Sequence, residues 1–130
     1  MEIKKEYDLS VEVRVKLTEE DIDDIMVAAL EGGVNYWCDE AEVIEEKRVA
    51  DWGHEQIARG GCLILHDMES EDKWELNLEK FINGVKLWIS EGYAFDCGAI
   101  ENGTIDCCQV DAIQADNIVQ LALFGEIVFC

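Results

Sequence analysis

Proline is absent from all 130 residues. Turns must therefore rely on glycine and on Asn or Asp, and no segment can serve as a proline-stiffened linker. Basic side chains are scarce: ten Lys and Arg stand against 30 Asp and Glu, leaving a formal charge of -20. A surface of that sign repels phosphate backbones and anionic lipids, because binding either requires cationic side chains to replace counterions. Direct nucleic-acid binding and membrane binding are therefore not expected. No apolar stretch approaches the ~20 residues that cross a bilayer, and the opening "MEIKKEYDLS" lacks the apolar core of a signal peptide. A cytoplasmic protein is the expectation.

What is present is a globular composition under an acidic skin. Hydrophobic residues make up 49% of the chain and are spread along it, so the charge does not signal disorder. A chain of this length can bury roughly two thirds of the surface it exposes when unfolded. Residues 1–130 are expected to form a single domain. The six cysteines, Cys38, Cys62, Cys97, Cys107, Cys108 and Cys130, have neither zinc-ribbon nor CxxC spacing, and a reducing compartment disfavours disulfides. They are expected to be mostly buried thiols.

Tyr7, Leu9, Val11, Val13, Val15 and Leu17 alternate with polar residues, the pattern of a half-buried strand. Thr18 followed by Asp21 makes a capping box, and Ile22, Ile25, Met26, Ala29 and Leu30 form an apolar stripe on a helix facing that strand, stopped at Gly32-Gly33. Residues 34–44, "VNYWCDEAEVI", read as a second strand. A short helix is expected within "ADWGHEQIA", residues 50–58. "CLILHD" and "KWELN" flank the turn "MESED" as a hairpin. Asn77 caps a helix whose core face is Leu78, Phe81, Ile82, Val85, Trp88 and Ile89, ended by Gly92. Residues 93–110 read as loop, Asp111 with Gln114 starts a largely apolar helix to about Phe124, and "EIVFC" reads as a short strand or buried tail. The order predicts an α+β fold: a small, mainly antiparallel sheet with about three helices packed on one face.

"EGGVNYWCDEAEV", "QIARGGCLILHDMESEDKWELNLEKFINGVKLW" and "ADNIVQLALFGEIVF", about half the chain, resemble a family of small acidic proteins encoded in phages and prophages of Gram-positive bacteria. That resemblance implies a mobile genetic element, a setting in which small acidic proteins counter host defence. It brings no activity and no site residues with it.

The densest charge lies in "TEEDIDDIM", residues 18–26. The helix dipole favours Glu19, Glu20 and Asp21 in the first turn. Asp23 and Asp24 lie past it and need another reason. A domain of this length is roughly 36 Å across, and duplex DNA places ~20 charges along roughly that length. The chain thus carries the charge of a DNA segment as long as itself. This points to a non-enzymatic anti-defence inhibitor, anti-CRISPR or anti-restriction, that binds a basic nucleic-acid-handling protein surface as an acidic mimic. Glu19, Glu20, Asp23 and Asp24 are the expected contacts, with Asp39, Glu40 and Glu42 next.

Other chemistries leave thinner traces. Arg59, Gly60 and Gly61 in "ARGG" can form a phosphate nest, with Trp37 and Trp52 to stack a base. A module that sequesters a signalling nucleotide is therefore one alternative. An oligomeric accessory protein, self-associating through "NIVQLALFGEIVFC", is another. His54-Glu55, His66-Asp67 and Cys107-Cys108 lack zinc spacing, and "HDMESEDKWE" lacks the EF-hand pattern, so neither metal nor cofactor is expected. Cys62 and His66 lie about 13 Å apart along one strand. With no GxSxG, Walker A or dinucleotide fingerprint in the chain, an enzyme is not expected.

Overall fold

The computed structural model describes residues 3–130. Its helices and sheet arise in the α+β arrangement expected. The first helix, α1 (Glu19–Ala28), starts on the capping box. Thr18 Oγ1 accepts the Asp21 amide at 3.0 Å, and Asp21 Oδ2 accepts the Thr18 amide at 3.0 Å. Ile22, Ile25, Met26 and Ala29 go to the core. The last turn widens into a π-turn, Ala29–Gly33. Glycine is required at its end, because a Cβ on Gly33 would lie 2.5 Å from the Ala112 carbonyl oxygen.

Residues 7–17 do not form the half-buried strand expected. Lys16 makes a single parallel bridge to Thr104, its amide donating to Gly103 O at 2.8 Å. Tyr7, Leu9, Val11 and Val13 stand exposed, while Val15 and Leu17 pack on the core. Alternation decides which side chains share a face, but a strand also needs a neighbouring edge, and the body offers one only at Lys16. The stripe of α1 faces the helical core instead of that segment.

Three strands make the main sheet: β1 (Cys38–Val43), β2 (Cys62–Asp67) and β3 (Lys73–Asn77), antiparallel and in sequence order. The second strand is shorter than its sequence suggests, because Val34 O takes the amides of both Trp37 and Cys38 and bends residues 34–37 into a turn. The hairpin of β2 and β3 lies where it was read, its turn fastened by Asp67 accepting the Glu69 amide and the Ser70 hydroxyl. The helix expected in residues 50–58 shrinks to a 3-10 turn at Gly53–Glu55. Fully buried Gln56 holds this loop, accepting from Val49 N and donating to the carbonyls of Ala50 and Trp52.

Helix α2 (Leu78–Ser90) is capped by Asn77, whose Oδ1 accepts the Lys80 amide at 2.9 Å. Phe81, Val85 and Trp88 are buried; Ile82, expected in the core, is exposed. Gly92, at φ +92°, ends the helix by a turn that a Cβ would strain. Residues 93–110, read as loop, hold a one-turn helix α3 (Tyr93–Asp96) and a two-residue hairpin of β4 (Ile100–Glu101) and β5 (Thr104–Ile105). Asp111 accepts the Gln114 amide and opens α4 (Ala112–Phe124).

Helices α2 and α4 pack side by side, and α4 also meets α1 and β3. Leu63, Leu65 and Leu76 of the sheet join Ile25, Met26, Phe81, Trp88 and Ile118 in one apolar core. The tail after Gly125 forms no strand. Gln120 holds it: Oε1 accepts the amides of Val128 and Phe129 at 2.8 and 2.7 Å, and Nε2 donates to Phe129 O at 3.1 Å. Phe129 then stacks on Trp37, ring centres 4.8 Å apart and planes 4° from parallel. In the segment named as an oligomer interface, Ile118, Val119 and Leu121 are buried in the core, while Gly125, Glu126, Val128 and Cys130 are exposed. The cysteines also depart from expectation, with Cys38 and Cys62 buried, Cys97 and Cys107 half-buried, and Cys108 and Cys130 exposed.

Candidate partner-binding face

Strand pairing decides which acidic side chains meet. Opposite side-chain directions on successive residues put Ala41, Val43, Leu63, Leu65, Trp74 and Leu76 toward the helices. Glu40, Glu42, Ile64, His66 and Glu75 take the other face, where Glu40 and Glu42 are exposed and Ile64, His66 and Glu75 half-buried. In the pairing register Glu42 lies beside Ile64 and Ile64 beside Glu75, while Glu40 lies beside His66 and His66 beside Lys73. Near one end of this face Val49 lies against the backbone of Gly61, where an added Cβ would come 2.8 Å from Val49 Cγ2, and the adjoining Cys62 is buried. Two shallow depressions mark the face, one lined by Glu42, Ile44, Ile64, Lys73, Trp74 and Glu75 and one at its Cys62 end, lined by Lys47, Gly60, Gly61, Cys62, Glu75 and Asn77.

His66 is the centre of the acidic part. Its Nε2 lies 2.9 Å from Glu42 Oε1 and 3.5 Å from Glu40 Oε1. One ligand atom from each of these three residues falls within 4.8 Å of the others, a grouping to which a divalent cation can bind if water completes its shell. The imidazole is already a partner for both carboxylates, so their convergence needs no ion. Asp39 stands at the bulge between Cys38 and Glu40 and is exposed.

The α1 carboxylates have a different setting. Arg59 reaches Asp23 through two hydrogen bonds, 3.0 and 3.1 Å, meets Glu19 at 3.2 Å and Glu55 at 3.9 Å, and donates to Glu55 O. The Asp23 side chain keeps only 21% of its exposure. That ion pair is the reason Asp23 sits beyond the first turn. Glu20 and Asp24 remain exposed. The seven candidate carboxylates thus divide into a partly compensated group on α1 and an open group on β1.

The nucleotide alternative fares differently. Arg59 is occupied by carboxylates rather than aimed from a nest. Gly60 does adopt a positive φ of +87°. Trp37 is buried, its indole N–H donating to Asp116 Oδ1 at 2.8 Å, whereas Trp52 is exposed and lies outside the aromatic cluster of Trp37, Trp74, Phe124 and Phe129. Of the candidate nucleophiles, Cys38 donates to Glu40 O, and burial pushes its thiol pKa up.

The sequence missed two arrangements. In sequence His66 stands beside Asp67, yet its partners are Glu40 and Glu42 on the adjacent strand; their alternate spacing, together with the hairpin, is the signal that could have found them. Asp116 looks like an ordinary polar helix position, but it is buried and accepts from Tyr36, Trp37 and Gln120. Nothing in local spacing announces it. Compared with protein-family models, curated proteins and solved structures, the chain finds no match.

Proposed function

We propose that this protein acts by contact, as a phage-type inhibitor of a host defence nuclease such as a CRISPR effector or restriction enzyme. The acidic sheet face, with Glu40, Glu42, Glu75 and Asp39, is offered to a basic surface that otherwise holds nucleic acid. Glu20 and Asp24 on α1 are a second patch. The observation that carries the reading is the face itself, where carboxylates surround half-buried Ile64. Tight interfaces combine apolar contact at the centre with charged surroundings, and a charge of -20 steers a cationic partner into encounter.

The test is inhibition of a panel of purified CRISPR effectors and restriction endonucleases, with DNA binding and cleavage as readouts. Inhibition of at least one enzyme should weaken with salt and be relieved by excess duplex DNA. Reversing Glu40 and Glu42 to lysine should remove it while leaving the fold intact, since both side chains are exposed. Full inhibition by the folded double variant, or no inhibition across the panel, would sink the assignment.

A further inference from the structure

The segment before α1 is unlike the rest of the molecule. Leu9, Val11 and Tyr7 are 85%, 80% and 79% exposed, and among the described residues no backbone hydrogen bond joins residues 3–15 to the body. It also carries no acidic excess. Residues 1–17 hold Glu2, Glu6, Asp8 and Glu12 against Lys4, Lys5, Arg14 and Lys16, so the whole formal charge of -20 rests on residues 18–130. A long alternating segment with free backbone groups is a template for strand addition.

We propose that its partner is the same segment of a second copy, the two pairing antiparallel about a two-fold axis at Val11. In that register Val11 faces Val11 of the partner subunit, Leu9 faces the partner's Val13, and Tyr7 faces the partner's Val15. On the other face Asp8 meets the partner's Arg14, and Glu6 meets the partner's Lys16. Each pair occurs twice, and directly opposed charges of opposite sign favour the register. Neighbouring registers are worse. Centring on Ser10 sets Lys4 against the partner's Lys16 and Asp8 against the partner's Glu12, and centring on Glu12 sets that carboxylate against its own copy.

The arm root supports the same geometry. Lys16 gives its amide to Gly103 on one edge. In a strand continuing from it, the backbone groups of odd residues point to the opposite edge, which is the edge this pairing uses. A bare two-stranded ribbon is marginal in water. Here each end continues the β4–β5 hairpin through the bridge from Lys16 to Thr104, and the partner's arm tip adds the next strand. The two Leu17 residues fall about twelve positions apart along the ribbon, about 40 Å. The two points at which the bodies attach are thus separated by about five times the roughly 8 Å over which salt screens like charge. Pairing through neutral arms is how two such acidic bodies can associate.

Light scattering after size exclusion, with native mass spectrometry across the micromolar range, reads the outcome. The native chain should be a dimer. Val11→Pro removes a central amide donor and should give a monomer whose body keeps its circular dichroism spectrum. Asp8→Arg should weaken the dimer about tenfold or more by opposing like charges, and the exchange Asp8→Arg with Arg14→Asp should restore it. A monomeric native chain, a dimer indifferent to Val11→Pro, or an exchange that fails to restore association would overturn the proposal.

Discussion

Both terminal nitrogens of Arg59 lie against the Asp23 carboxylate, Nη1 to Oδ1 at 3.0 Å and Nη2 to Oδ2 at 3.1 Å. This fork links the segment after the 53–55 turn to α1 and gathers Glu19 and Glu55 around one cation. Replacing Arg59 by alanine leaves three carboxylates facing one another. Arg59→Ala should therefore lower the urea midpoint, with a deficit that shrinks as salt screens the repulsion. It should leave inhibition of a basic partner intact. A nucleotide-binding module would instead lose its ligand, so a thermal-shift screen of nucleotides against the native and variant chains separates the two readings.

Gly84 lies where α2 presses on α4. An added Cβ would come 2.7 Å from both Ala122 Cβ and Ile118 O. Alanine normally favours a helix over glycine by about 1 kcal/mol, yet overpacking a close contact costs about 1–3 kcal/mol. Because one clashing atom is backbone, relief requires the helices to separate, and the second effect wins. Gly84→Ala should lower the unfolding free energy by about 1 kcal/mol, read from denaturant midpoints. A gain in stability would show that the two helices are not held at this distance.

The elements that were legible are the ones that local chemistry decides. Thr18 with Asp21, Asn77 and Asp111 each announce a helix start by a side chain acting within three residues, and the β2–β3 hairpin is written in alternation and a polar turn. Residues 7–17 carry the same alternation but lack a partner edge, a property of the surrounding fold that no window of sequence holds. The candidate face was half legible. Glu40 and Glu42 share a face by strand period, but His66 reaches them only through the register of β1 against β2. The pairing of Arg59 with Asp23, 36 positions apart, turned an unexplained charge into a structural one.

Cys107 and Cys108 are adjacent in sequence and should differ sharply in reactivity. The Cys107 thiol, half-buried and facing the Asp21 carboxylate at 3.5 Å, has its pKa pushed up to about 12, first by burial and then by that charge. Cys108 and Cys130 are exposed. Thiolate is the reacting form, so limited alkylation at mildly alkaline pH should label Cys108 and Cys130 well before Cys107, read by peptide mass spectrometry. Equal labelling of the adjacent pair would mean that the 107–109 turn opens away from α1.

Tyr36, half-exposed but bonded to a carboxylate, should weaken the fold in alkali. Its hydroxyl donates to Asp116 at 2.6 Å, and its pKa rises from 10.0 to about 12, through burial first and then through that carboxylate. A raised native pKa means that the unfolded chain releases its proton first. The stability this phenol contributes is complete below pH 10 and is lost as pH climbs toward 12. Cys107, raised from 9.0 to about 12 by burial and Asp21, acts in the same direction from a lower starting point. Urea midpoints should therefore begin to fall near pH 9 and drop more steeply above 10. Tyr36→Phe should be less stable than the native chain at neutral pH, having lost the bond to Asp116. Its curve should converge on the native one across the interval where the phenol titrates, whereas parallel curves would show that Tyr36 ionises alike in both states.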